Sequence, residues 1–88
     1  MTYTVVWRQG VLDMLADLYV ALSLSDQGRV AAGVKALNAR LASDPFAVGE
    51  RRNDDHDRIA FPPLLSVTFE VDHAARVVRV INVLRFGR

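Results

Sequence analysis

Apolar positions change period along this chain, and each period names an element. Tyr3–Trp7 joins aromatic and β-branched residues and reads as a short strand, broken by Gly10. Val11, Leu15, Leu18 and Leu22 then recur at spacings of four, three and four, which lines one face of a helix. Asp13 is expected in its first turn, where the helix dipole favours a negative charge. Ser23-Leu24-Ser25-Asp26 is a short link offering several N-caps. A second helix follows from about Asp26 to Ala42. Val30, Val34, Leu37 and Leu41 repeat the stripe, and alanines at 31, 32, 36 and 39 let a neighbour approach closely. Ser43-Asp44-Pro45 ends it, because proline cannot continue the hydrogen-bond ladder and restricts the residue before it. So short a link predicts an antiparallel helical hairpin.

Beyond the proline the period drops to two. Residues 48–58 are charge-dense, with turn residues at Asn53-Asp54, and predict one or two short strands around an exposed loop. Ile59-Ala60-Phe61 reads as a strand, and Pro62-Pro63 forces a bend or bulge at a sheet edge. Leu64–Val71 and Val77–Leu84 flank the break Asp72-His73-Ala74-Ala75 and predict an antiparallel hairpin. In the first arm Leu65, Val67, Phe69 and Val71 face one way, and Ser66, Thr68 and Glu70 the other. The second arm is apolar on both faces, Val78, Val80 and Leu84 on one and Val77, Ile81 and Val83 on the other. Such a strand is central, and its second face predicts a cover that the chain does not itself supply. A loop over residues 72–75 sets Val78 and Val80 beside Phe69 and Val67, and Arg79 near Glu70 and Thr68. It leaves Asn82 on the core side, in need of a hydrogen-bond partner. A slip of one residue reverses every assignment.

The resulting order is β-α-α-β-β-β. Helices followed by strands predict an α+β domain, the N-terminal strand and helical hairpin packed on one face of a mainly antiparallel sheet. Residues 1–88 read as a single domain without repeat or linker.

Composition narrows the classes. Half the chain, 51%, is apolar, enough for one core. The absence of cysteine excludes disulfides, thiolate metal sites and a thiol nucleophile, and fits a reducing cytoplasm. The first residues lack a signal-peptide pattern, and no apolar run approaches the roughly 20 residues of a membrane span, so a cytoplasmic protein without a membrane partner is expected. Net charge is +1, but its distribution is uneven. Glu50, Asp54, Asp55 and Asp57 face Arg51 and Arg52 in one segment, whereas Arg76, Arg79, Arg85 and Arg88 close the chain with no acid among them. Arginine's planar fork suits phosphate and carboxylate, although ten arginines against the single Lys35 is also what a GC-rich genome produces.

The chain carries no nucleophile elbow, phosphate-binding glycine loop or dinucleotide fingerprint. The aspartates and histidine at 54–57 invite a metal reading, Asp55 and Asp57 alternating with His56 between them, but no second cluster completes them and the glycine and terminal glutamate of a calcium loop are missing. They read as a solvated turn, and neither metal nor cofactor is expected. Histidine is the usual side chain for proton transfer, so His56 and His73 could serve as acid or base, yet both fall in turns and read as exposed. Tyr3 and Trp7 read as core or helix-packing aromatics. The strongest grouping is Arg51, Arg52, Arg58, Arg85 and Arg88, which the sheet could bring together as a site for RNA phosphate or an acidic protein.

The whole chain resembles the RelE/ParE superfamily of small toxins from bacterial type II toxin–antitoxin systems. The resemblance lies in the order and spacing of Tyr3-Thr4-Val5-Val6-Trp7, the two amphipathic helices, Asp44-Pro45 with Gly49-Glu50-Arg51-Arg52, Asp57-Arg58-Ile59-Ala60-Phe61, and the two arms Leu65–Val71 and Val77–Val83. It implies a β-α-α-β-β-β toxin neutralised by a cognate antitoxin that wraps its surface, as part of a homodimer or a toxin–antitoxin hetero-oligomer. RelE-like members cleave mRNA on the ribosome, with basic residues on the second strand, at the start of the third and at the end of the last, and an aromatic or histidine near the C-terminus. Here Arg58 and Arg85 match two of those positions, with His56 as a third candidate if the chain is a nuclease. The start of the third strand is Leu64-Leu65-Ser66, and the chain closes on Phe86-Gly87-Arg88, so the set is incomplete. ParE-like members lack that set and are associated with poisoning DNA gyrase. The resemblance therefore leans toward a toxin that binds a target protein such as gyrase rather than toward an enzyme; the alternatives are a ribosome-dependent mRNA interferase and an inactive antitoxin-binding module.

Overall fold

A computed structural model describes residues 2–51 and 57–87. Strand β1 (Thr4–Trp7) leads into helices α1 (Gln9–Val20) and α2 (Leu24–Ser43), then a 3-10 turn (Pro45–Ala47) and strands β2 (Glu50–Arg51), β3 (Asp57–Ala60), β4 (Leu65–Asp72) and β5 (Val77–Arg85). The five strands form one sheet in the order β1-β5-β4-β3-β2. Only β1 and β5 run parallel; the other pairs are antiparallel. The expected α+β architecture is present, and β5 lies between β1 and β4 as its two apolar faces require.

The helices differ from the sequence reading at their ends. Gly10 is the second residue of α1 and does not precede it, so Asp13 lies beyond the first turn. α2 starts two residues earlier than expected, because Ser23 is its N-cap and its hydroxyl accepts from the Asp26 backbone N–H at 3.2 Å. Asp26 thereby becomes the first-turn acid. α2 is tied at both ends: the indole N–H of Trp7, at the end of β1, donates to Asn38 Oδ1 at 2.9 Å, and Gln27 Nε2 donates to the Tyr19 carbonyl of α1 at 3.0 Å.

The core lies between this hairpin and the sheet. Val30, Leu37 and Leu41 of α2 and Val11 of α1 meet Leu65, Val67, Phe69 and Val71 of β4 and Val78, Val80 and Val83 of β5, all buried. Each such side chain contributes roughly 1.5–3 kcal/mol when fully buried.

The β4–β5 register departs from the expected one twice. The loop is His73–Arg76, so Asp72 pairs with Val77, Val71 with Val78 and Phe69 with Val80. Arg76 adopts φ 57° to close the turn, and Asp72 Oδ1 accepts from the Ala75 N–H at 3.0 Å. Further along, the ladder shifts between Thr68 and Phe69: Phe69 pairs with Val80, but Thr68 with Asn82 and Val67 with Val83. This β-bulge gives β5 one extra residue and exchanges its faces. Val83 turns into the core, whereas Leu84, expected inside, stands 52% exposed opposite Ser66. Asn82 leaves the core side for the face that carries Thr68.

On that outer face Val6, Ile59, Val77 and Leu84 surround Thr68 and Asn82. No helix of the described chain lies there by the strand registers and core packing.

Candidate functional site

Among the described residues Arg51 and Arg58 are cross-strand neighbours, whereas Arg85 lies apart from them. Arg58 sits on β3 opposite Phe69 of β4, and Arg51 on β2 opposite Arg58. Paired residues share a face, so Arg58 points to the helix side of the sheet, where its guanidinium is committed to the backbone. Nε donates to the Val48 carbonyl at 2.9 Å and Nη2 to the Gly49 carbonyl at 3.0 Å. The segment they hold passes very close to β3. Gly49 has φ 66°, and a Cβ there would lie 2.1 Å from the Ile59 carbonyl oxygen. Only glycine fits, and its peptide is fixed by Arg58.

Arg85 ends β5 opposite Leu65, four residues along β4 from the partner of Arg58. That is about 13 Å along the strand and about 10 Å across two strand spacings. Arg85 is exposed and stands next to a half-exposed aromatic pair, the rings of Phe61 and Phe86 at 4.8 Å and 45°. The Phe86 N–H donates to the Leu64 carbonyl at 2.9 Å, which anchors the chain just past β5. Leu64 takes φ 67° to make the bend after the two prolines. An arginine beside two exposed phenylalanines is the composition of a protein-interface anchor. Arg52, His56 and Arg88 lie outside the described residues, as do all but Asp57 of the acidic run at 54–57. Among the described residues no cluster of three His, Cys, Asp or Glu could hold a metal ion, and no helix is long and apolar enough to cross a membrane.

A second polar cluster lies at the hairpin turn, where the sequence suggested only an exposed histidine. The Tyr3 hydroxyl and His73 Nδ1 are 2.7 Å apart, and Arg76 Nη1 donates to the same hydroxyl at 3.3 Å. Phe46 of the 3-10 turn faces the imidazole at 5.9 Å, and the Tyr3 N–H donates to the Ala42 carbonyl at 2.7 Å. Tyr3 thus packs partly on the core, as expected, and also fastens β1 to the turn and to the end of α2. Its partners are about 70 positions away, and no periodicity links them.

No protein-family model matches the sequence, and no curated protein does. Solved structures share the fold. A mutant of the E. coli toxin RelE in the free state superposes with a TM-score of 0.67 over 97% of this chain and 84% of that one, at 16% identity. The toxin–antitoxin complex RelBE2 from Mycobacterium tuberculosis gives 0.69 over 98% of this chain and 100% of the other, at 18% identity. The archaeal RelE–RelB complex from Pyrococcus horikoshii gives 0.58 over 100% and 99%, also at 18%. The chain has the RelE-type toxin fold, which is the architecture the sequence resemblance implied.

Proposed function

We propose that this chain is the toxin of a type II toxin–antitoxin pair, acts in the cytoplasm by binding a target protein, DNA gyrase first among candidates, and is silenced by a cognate antitoxin. The RelE-type fold supports the toxin reading, and two of the similar structures named above are toxin–antitoxin complexes. The observation that favours binding over RNA cleavage is the engagement of Arg58. A nuclease needs groups free to take a proton from the 2′-hydroxyl, to stabilise the charge developing on phosphorus and to protonate the leaving oxygen. Arg58 spends two of its donors on the Val48 and Gly49 carbonyls, which fixes the guanidinium on its own chain, and Arg85 stands two strands away beside phenylalanines that carry no exchangeable proton. The Arg85, Phe61 and Phe86 patch supplies the target surface. An antitoxin segment covers the outer sheet face around Val6, Ile59, Val77 and Leu84.

Induction of the chain alone tests this. Growth arrest with DNA-damage signalling and intact mRNA is expected, relieved by Phe86→Ala or Arg85→Ala in a folded protein. Cleavage of translated mRNA that depends on Arg85 identifies an mRNA interferase instead. Normal growth overturns both and leaves a module that only binds its antitoxin.

A further inference from the structure

A cavity of about 300 Å³ lies between α2 and the chain on either side of β2 and β3. Gly33, Ala36, Leu37 and Arg40 form its helix wall, at the spacing of one α2 face. Val48 and Gly49 form the opposite wall together with the Ala60–Pro63 bend. Both walls are held by contacts that need no ligand. Arg58 binds the Val48 and Gly49 carbonyls, and Gly33 lies so near the bend that a Cβ there would come 2.8 Å from Pro63 Cδ. Closing the cavity would mean moving this bonded backbone. Its volume is at the lower end of the range for small-molecule sites.

Charge marks one part of the cavity. Arg40 is the one charged residue that lines it. Arg40 is exposed, and among the described residues its guanidinium has neither an ion pair nor a hydrogen bond. Asp44, one turn further along, forms no pair with it. The described acids of the adjoining strands turn away. Glu50 pairs with Ile59 and Asp57 with Glu70, on the outer face of the sheet. Arg51 and Arg58 share the helix side with the cavity, so the local field is positive. Every other lining residue is glycine or has an apolar side chain. A compact apolar body ending in one carboxylate matches both parts. The planar guanidinium takes a carboxylate through two parallel bonds, and the body displaces water from the apolar walls.

We propose that this cavity binds a small organic carboxylate, its apolar body against Ala36, Leu37 and Phe61 and its carboxylate on Arg40. Phe61 also stacks on Phe86 at 4.8 Å, so the site adjoins the exposed patch, but it does not depend on what that patch binds.

Titration of the whole chain with isocaproate, followed by two-dimensional amide NMR, tests it. The amides of Ala36, Leu37, Gly49 and Phe61 are expected to shift and to saturate in the low-millimolar range, as suits so small a ligand. Isocaproamide has the same body without the charge, and inorganic phosphate has the charge without the body. Each is expected to bind roughly tenfold or more weakly. Arg40→Gln keeps the stem and removes the charge, and is expected to weaken isocaproate binding about tenfold or more. Ala36→Leu fills the cavity from its helix wall and is expected to abolish the shifts. Both positions are exposed, and circular dichroism confirms that each variant is folded. Isocaproate that gives no saturable shift at these amides, an amide or phosphate that binds as tightly, or either variant binding as well as wild type, overturns the proposal.

Discussion

Arg58 reaches from β3 to the backbone of the segment before β2, donating from Nε to the Val48 carbonyl at 2.9 Å and from Nη2 to the Gly49 carbonyl at 3.0 Å. An arginine that the sequence offers as an anion ligand is therefore a clamp on its own chain. Replacing it by methionine keeps the aliphatic stem but leaves two carbonyls without their charged donors. Since the guanidinium is partly exposed and water can replace some of the bonding, Arg58→Met is expected to cost about 1–2 kcal/mol. A shift of roughly 4–8 °C in Tm per kcal/mol makes this measurable in a domain of this size. Arg85→Ala, with no such bonds, serves as the reference and stays within about 0.5 kcal/mol of wild type. Equal melting of the two variants would rule out the clamp.

Gly49 is the other half of that arrangement. Its φ of 66° and the 2.1 Å approach of a hypothetical Cβ to the Ile59 carbonyl leave no room for a side chain, and the obstacle is backbone. Gly49→Ala is expected to destabilise by more than about 3 kcal/mol. Gly28, in the body of α2, has nothing within 4 Å of its would-be Cβ. Gly28→Ala should stabilise by about 0.5–1 kcal/mol through helix propensity alone. Urea denaturation of both variants checks the pair. A tolerated Gly49→Ala contradicts the close crossing of this segment over β3.

The bulge in β5 makes a third, register-specific prediction. In an unbroken ladder Asn82 faces the core, and Asn82→Val would stabilise the protein while Val83→Asn would be harmless. With the bulge the outcomes exchange. Val83 is fully buried opposite Val67, whereas Asn82 sits opposite Thr68 on the outer face. Val83→Asn buries an amide without a partner and is expected to cost about 2–4 kcal/mol. Asn82→Val should stay within about 1 kcal/mol of wild type. Denaturant midpoints of the two variants decide the register.

These features mark where the sequence stops being readable. The helices were legible because Val11, Leu15 and Leu18, and then Val30, Val34, Leu37 and Leu41, repeat long enough for period to outweigh any single residue. The start of α2 was missed because Ser23, Ser25 and Asp26 are all competent caps, and residue type alone does not choose among them. The central position of β5 followed from its two apolar faces, but those faces also hid the bulge: with valine or isoleucine on both sides, a change of face after Val80 leaves no mark in the pattern. The role of Arg58 was hidden for a different reason. Grouping Arg51, Arg58 and Arg85 by charge takes no account of the carbonyls each guanidinium meets, and those of Arg58 come from a segment about ten residues earlier.

The bond between Tyr3 and His73 gives the last prediction, and it concerns how the parallel strand β1 is retained. β1 is a four-residue edge strand whose pairing with β5 starts at Thr4–Val77, so its first turn of chain has little ladder to hold it. Three links compensate at that end. The Tyr3 N–H donates to Ala42, the Thr4 N–H donates to the Arg76 carbonyl at 2.9 Å, and the Tyr3 hydroxyl joins His73 and Arg76. The first two are backbone bonds that substitution leaves intact, so the hydroxyl is the part that mutation isolates. Tyr3→Phe removes the hydroxyl and keeps the ring that packs on the core; His73→Ala removes the imidazole. If the bond couples strand to turn, each single variant loses it, and the double variant loses little more. A cycle of the four proteins should then show a coupling of about 0.5–1 kcal/mol, the low end for an exposed pair. Hydrogen exchange gives the location: the amides of β1 should open more readily in Tyr3→Phe, while those of β4 keep their protection, because a local fastening controls local opening and not global unfolding. Strictly additive losses, or uniform loss of protection over the whole sheet, would show that the Tyr3–His73 bond does not couple strand to turn.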